Sequence, residues 1–243
     1  MNYANTRNGV LGGPVAFSPA SLPGYVDSPY SVAQLRAAGA LWQNAAKTVP
    51  AVADADPVRV AVCGATEYTA PSDAARPLLF AEAGGKWSLK FDGTDDNLTA
   101  NLSWPAVSVG SQMIGIVTAV GTASDQVAPV CVNNHDDWMS FTTGANYSFN
   151  FRSARADVLF TQLPSYPQTY CQASGTDYRA YIQGVLKGTI AAAWETPTIV
   201  HIGRSVAGGR FMTGRIAGLT LAAAGWDAAT VERMQAFTSG LFP

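Results

Sequence analysis

Charge is what this sequence has least of. Only 13% of its 243 residues are Asp, Glu, Lys or Arg, the net charge is −2, and there are two histidines. A chain so weakly charged lacks the basic surface that nucleic acid or an anionic membrane draws on, so neither is expected as a partner. Cysteine is scarce as well. Cys63, Cys131 and Cys171 lie far apart, and an odd count without a close pair argues against a disulfide framework and against structural zinc. The three read as small buried hydrophobes. No apolar run reaches the roughly 18 residues that span a bilayer. Residues Met1 to Val10 carry no apolar core and do not read as a secretory signal.

What the chain has in quantity is apolar residues (48%), with 23 Gly and 14 Pro. That mixture fits a sheet-rich body with many turns rather than a helical protein. The length allows one large all-β domain or two small ones. Between Gly12 and Pro29 seven Gly or Pro residues exclude a long helix or a central strand. Phe17, Leu22, Tyr25 and Val26 nonetheless make this segment apolar, so it is expected to lie against the body or a neighbouring subunit. Ser31 to Trp42 changes character. Val32, Leu35, Ala38 and Leu41 or Trp42 recur at helical spacing behind Ser31 as N-cap, which predicts a helix. The organisation expected is an N-terminal arm and short helix over 1–45 and a sandwich domain over 46–243.

The stretch from Lys90 to Thr99 organises the rest, and Lys86 to Phe91 reads as the strand that leads into it. Trp87, Leu89 and Phe91 alternate with Ser88 and Lys90, the period of a strand with one buried face. Asp92-Gly93 then makes a tight turn, and Asp95, Asp96 and Asn97 follow. This acidic cluster reads either as a well-satisfied turn or as a calcium site made by Asp92, Asp95 and Asp96, since clustered carboxylates suit a hard cation. Before it, Val58, Val60 and Val62 alternate, and Glu67 to Pro77 reads as polar and irregular. After it, strands are expected at Val107 to Val109, Met113 to Val120, Val127 to Val132, Trp138 to Thr142, Tyr147 to Arg152, Asp157 to Leu163 and Tyr170 to Ala173. Tyr178 to Ile182 and Val185 to Ile190 flank Gln183-Gly184 as a hairpin. Thr198 to Gly203 and Gly214 to Ala222 are two more strands, and Asp227 to Phe237 closes the chain as a helix. Roughly ten strands at this spacing suit a two-sheet sandwich.

A second polar cluster, Asn133, Asn134, His135, Asp136, Asp137 and Trp138, reads as a solvated loop or as a ligand site at the rim, where loops collect. Asn133, Asn134, Asp136, Asp137 and Trp138 are the candidate ligand-binding residues, with Trp138 beside the acids as the aromatic face. His201 lies inside a strand and reads as a residue of the sheet.

The octapeptide Phe91 to Leu98 resembles the "FDG-x-DD-x-L" signature of concanavalin A-like lectin/glucanase domains of the laminin G-like kind. Tyr181 to Val185 is similar to the hairpin written "Y-V-N-G", with Gln183 for Asn. Ile199 to Arg204 resembles the "I-x-I-G" strand, and Phe211 to Leu219 the "F-x-G-x-I-x-x-L" strand before a final helix. Upstream, Leu41 to Asn44, Asp56 to Val58 and Ala75 to Pro77 resemble the lead-in of such domains in bacteriophage and prophage structural proteins. The resemblance implies an all-β, two-sheet antiparallel jelly-roll sandwich whose members bind carbohydrate or protein and sometimes hydrolyse glycans.

Hydrolysis needs two carboxylates flanking the scissile bond. The four glutamates, Glu67, Glu82, Glu195 and Glu232, are remote from one another in sequence, and no strand carries two acids at alternate positions. No nucleophile elbow, zinc-protease motif or phosphate loop is present. The expectation is a non-catalytic protein without cofactor, calcium being the one candidate. With the phage-like lead-in, it is expected to be a structural or decoration protein of a virion. It would be made in the host cytoplasm, associate with itself or other virion subunits, and bind a cell-surface glycan. The alternatives are a free carbohydrate-binding lectin, with or without calcium, and, last, a glycoside hydrolase.

Overall fold

The computed structural model describes residues 31–64, 66–102, 112–121, 127–132, 139–142, 146–151, 154–156, 168–174, 177–182, 185–191, 198–205 and 209–222. Everything regular in them, apart from one helix and a 3-10 turn at Ala83–Gly85, is strand. The helix is α1 (Val32–Ala37). The strands are β1 (Leu41–Trp42), β2 (Val60–Cys63), β3 (Thr66–Thr69), β4 (Leu78–Ala81), β5 (Trp87–Asp92), β6 (Leu98–Asn101), β7 (Gln112–Gly121), β8 (Val127–Val132) and β9 (Met139–Thr142). They continue as β10 (Asn146–Phe151), β11 (Ala154–Ala156), β12 (Gln168–Ser174), β13 (Asp177–Ile182), β14 (Val185–Ala191), β15 (Ile199–Ile202), β16 (Arg204–Ser205), β17 (Arg210–Phe211) and β18 (Thr213–Ala222).

Two antiparallel sheets make a β-sandwich. One has nine strands in the order β1-β2-β3-β6-β15-β8-β9-β10-β11; the other has seven, β14-β13-β12-β7-β18-β5-β4. The chain changes sheet between β5 and β6, at the acidic turn. Alternation supplies the core. Leu79, Leu89, Phe91 and Ile216 face inward from the seven-stranded sheet; Leu41, Ala61, Tyr68, Leu98, Ala100, Val200 and Ile202 do so from the nine-stranded one, all buried. Burying an aliphatic or aromatic side chain of this kind contributes about 1.5–3 kcal/mol. Cys63 and Cys131 are buried and not in disulfides, as expected of small hydrophobes. Within the nine-stranded sheet, β3 and β6 are joined at a single register position, Thr69 to Thr99.

Several expectations are corrected. The helix begins where predicted, with Ser31 and Gln34 forming a reciprocal cap, but it stops at Ala37 rather than Trp42. Leu41 and Trp42 pair with Ala61 and Val60 instead; sheet pairing and the complete burial of Leu41 override a helical spacing. The segment Glu67 to Pro77 is not wholly irregular, because Thr66–Thr69 pairs with β2 and buries Tyr68. Strand Leu78–Ala81 is an addition: β5 recruits it by pairing Leu79 with Leu89. The expected hairpin is present as β13 and β14, with a register shift between Ala180 and Tyr181. The arm 1–30, the strands at 107–109 and 157–163 and the terminal helix at 227–237 lie outside the described residues. No helix among the described residues is long and apolar enough to cross a membrane.

Candidate functional site

The acidic turn follows from its own residues. Gly93 takes a φ of +83°, and a β-carbon there would lie 2.0 Å from Oγ1 of Thr213, so only glycine fits. Asp92 Oδ1 accepts from the amides of Thr94 (2.7 Å) and Asp95 (3.4 Å). Asp96 Oδ2 accepts from the Asp92 amide at 2.9 Å, and Asn97 Nδ2 donates to the Asp95 carbonyl at 2.8 Å. The turn thereby draws Asp92, Asp95 and Asp96 together: one ligand atom from each lies within 4.8 Å of the others. Asp92 is exposed and Asp96 buried. Burial pushes the Asp96 carboxyl up to about 6, and the Asp92 and Asp95 charges push the same way, against the Asp92 amide hydrogen bond.

Asp92 Oδ2 and Asp96 Oδ1 remain turned to neither of these amides. The donor set is therefore three carboxylates with oxygens to spare, which suits a hard cation such as calcium. The other sequence candidates, Asn133, Asn134, Asp136, Asp137 and Trp138, lie outside the described residues, so the structure does not bring the two clusters together.

A second constellation was not read from the sequence. Register across the nine-stranded sheet sets Trp42 against Val60, Val60 against Thr69, Thr69 against Thr99, Thr99 against His201, and His201 against Cys131. Directly paired residues project to one face, here the outer face, since their neighbours Leu41, Tyr68, Ala100 and Val200 fill the core. Trp42, Thr69 and Thr99 are half-buried, whereas Val60, His201 and Cys131 are buried. His201 Nδ1 and Thr99 Oγ1 are 2.9 Å apart, and Thr99 Oγ1 donates to Asn97 Oδ1 over a longer 3.4 Å. His201 Nε2 and Arg204 Nε are buried without a hydrogen-bond partner. Burial, and then the Arg204 charge, lower His201 to about 4, so the ring is neutral at neutral pH. The polar residues were legible only as single outward positions in separate strands; the register that lines them up was not.

The described glutamates are committed elsewhere. Glu82 accepts from Ser88 Oγ and from Arg215 Nη1, both at 2.7 Å, and Glu67 pairs with Lys47.

No protein family matches the sequence, and neither does any curated protein. Similarity lies in solved structures. A GH54 α-L-arabinofuranosidase is similar with a TM-score of 0.54 at 7% identity, over 76% of this chain and 51% of that one. Domain 4 of the extracellular GH43 arabinanase of Geobacillus stearothermophilus, in complex with arabinotriose, is similar with a TM-score of 0.50 at 9% identity, over 65% of this chain and 81% of that domain. The ligand-binding domain of botulinum neurotoxin serotype D has a TM-score of 0.48 at 8% identity, over 68% and 47%. The chain thus spans about half the length of the arabinofuranosidase and of the toxin domain. At such identities the likeness to the arabinofuranosidase and the arabinanase domain establishes the fold alone, a β-sandwich.

Proposed function

We propose that this chain is a non-catalytic carbohydrate-binding module. The row Trp42, Thr69, Thr99 and His201 carries the reading. It offers an aromatic ring at one end, two hydroxyls and an imidazole at the other. These are the groups that stack on a sugar face and bond its hydroxyls. Four strand-to-strand steps of about 4.8 Å make it about 19 Å long, the reach of a short oligosaccharide. That the similar arabinanase domain is in complex with arabinotriose supports this ligand class. Binding without cleavage is supported by the engagement of Glu82 and Glu67 in ion pairs. The test is calorimetric titration with arabinotriose, cellotriose, laminaritriose and sialyllactose, alongside an assay for reducing ends. Binding of at least one without release of reducing ends is expected; release of reducing ends overturns the non-catalytic reading.

The setting we propose is a phage-like particle, from the resemblance of the lead-in segments. The module would sit there against itself or other virion subunits and attach to a cell-surface glycan. Removal of residues 1–29 should impair assembly while leaving the melting temperature of the body nearly unchanged. A large fall in melting temperature with assembly intact would sink this setting and favour a free lectin.

A specific observation favours calcium as an accessory: the three carboxylates converge at the corner where the chain passes between sheets. Asp92, Asp95 and Asp96 would hold the ion, which would supply charge neutralisation and rigidity at the corner.

A further inference from the structure

We propose that His201 Nε2 and Arg204 Nε are the polar anchors of a subsite for sugar hydroxyls, at the inner end of the row on the outer face of the nine-stranded sheet. The proposal rests on the carbohydrate-binding reading of that face and names where the ligand is gripped. Buried polar atoms in folded proteins are satisfied almost without exception. Among the described residues a few are not, and two of them, His201 Nε2 and Arg204 Nε, belong to residues three apart in the chain. Gly203 between them takes a φ of +84°, where the chain turns from β15 into β16. β8 pairs with β15 at His201 and also lies against β16, which carries Arg204; the Arg204 charge acts on the His201 ring. Each is held by another contact. Thr99 fixes the imidazole through Nδ1, and the guanidinium lies 5.8 Å from the centre of the Phe211 ring.

The chemistry of the two atoms selects the partner. Arg204 Nε only donates; His201 Nε2 donates or accepts, according to the tautomer. A cation is repelled by the guanidinium. A carboxylate satisfies Arg204 but meets a neutral ring, whose bare nitrogen repels it in one of the two tautomers. A hydroxyl oxygen accepts from Arg204 and both donates to and accepts from an imidazole, so it satisfies the pair in either tautomer. Thr69 and Thr99 continue the hydrogen-bonding surface outward, and Trp42 ends it with an apolar ring.

The experiment titrates the intact protein with arabinotriose, cellotriose, laminaritriose and sialyllactose. Affinity is read by calorimetry and the His201 ring nitrogens by NMR at pH 7. Three variants are compared. His201→Asn keeps a group at the Nδ1 position and removes Nε2; His201→Gln restores an amide near Nε2; Arg204→Lys keeps the charge and removes the Nε donor. The expected result is that His201→Asn and Arg204→Lys each weaken binding about tenfold and that His201→Gln recovers most of it. In the wild type the Nε2 signal should shift on saturation while Nδ1 moves little. The ring signal requires no variant, so it decides even if a substitution unfolds the chain. A sugar that binds the wild type without moving Nε2, and binds the folded variants equally well, overturns the subsite and leaves the carbohydrate reading standing. Binding of none of the four sugars by the wild type overturns both.

Discussion

Gly203 packs against the Phe91 ring so closely that a β-carbon added to it would lie 2.4 Å from two ring carbons, and 3.2 Å from the Asp96 carbonyl oxygen. This contact ties the end of β15 in one sheet to β5 in the other, beside the acidic turn. Gly203→Ala combines a left-handed backbone with overpacking, and should cost about 2–5 kcal/mol in chemical unfolding. The double variant with Phe91→Ala should lose less than the sum of the two single losses. Strict additivity would show that the clash is relieved elsewhere.

Glu82 and Arg215 join the segment after β4 to β18. The Glu82 side chain is only 3% exposed, whereas that of Arg215 is 25% exposed. Glu82→Ala leaves the buried Ser88 hydroxyl without its acceptor and takes the Glu82 carboxylate away from the guanidinium. Partial hydration of Arg215 offsets some of the loss, so the expected cost is about 2 kcal/mol. Glu82→Gln retains an acceptor and should cost less, as denaturant midpoints would report.

Asp96 and His201 should oppose each other as pH changes. The folded value of Asp96 is raised from 3.8 to about 6, so its contribution is full below about 3.8 and is lost as pH rises through 6. The folded value of His201 is lowered from 6.5 to about 4, so its contribution is full above 6.5 and is lost as pH falls through 4. Between about 4 and 6 the folded chain holds one extra proton on Asp96 and the unfolded chain one extra on His201, and the two slopes cancel. Asp96→Asn should therefore gain stability over the wild type as pH rises from 4 to 6, by up to about 1.4 kcal/mol per pH unit. His201→Asn should lose ground over the same interval. Parallel stability curves for wild type and variants would refute this assignment.

Calcium should act only where Asp96 is ionised. Millimolar calcium is expected to raise the melting temperature at pH 7.5 and to do little at pH 4.5, with the rise abolished in Asp95→Asn. Identical melting in calcium and in chelator at pH 7.5 would dispose of the cation site.

Much of the sandwich was legible because its strands alternate. Trp87, Leu89 and Phe91, or Val200 and Ile202 around His201, declare a buried face through their own spacing. The acidic turn was legible for the same local reason: Asp92-Gly93 and the carboxylates that follow need no distant partner to be recognised. Leu41 and Trp42 were misread, because their helical spacing from Leu35 says nothing of Ala61 and Val60, which capture them as a strand. Thr66 to Thr69 looked polar until β2 supplied a neighbour for it. The outer row was illegible for a stronger reason. Its members come from four strands, and a slip of one residue in any pairing would send a side chain to the opposite face.

The single pairing of Thr69 with Thr99 makes a crease in the nine-stranded sheet. Strands β1 to β3 hang together through longer ladders on one side of it, and β6, β15 and β8 do so on the other. Bending costs least where the fewest cross-links must yield, so this line is where the sheet would bend first, as a page does along its fold. Trp42 and Thr69 ride on one leaf, Thr99 and His201 on the other. Opening or closing that angle would change the span between the aromatic ring and the imidazole without breaking either leaf, and with it the length of saccharide that the proposed row could take.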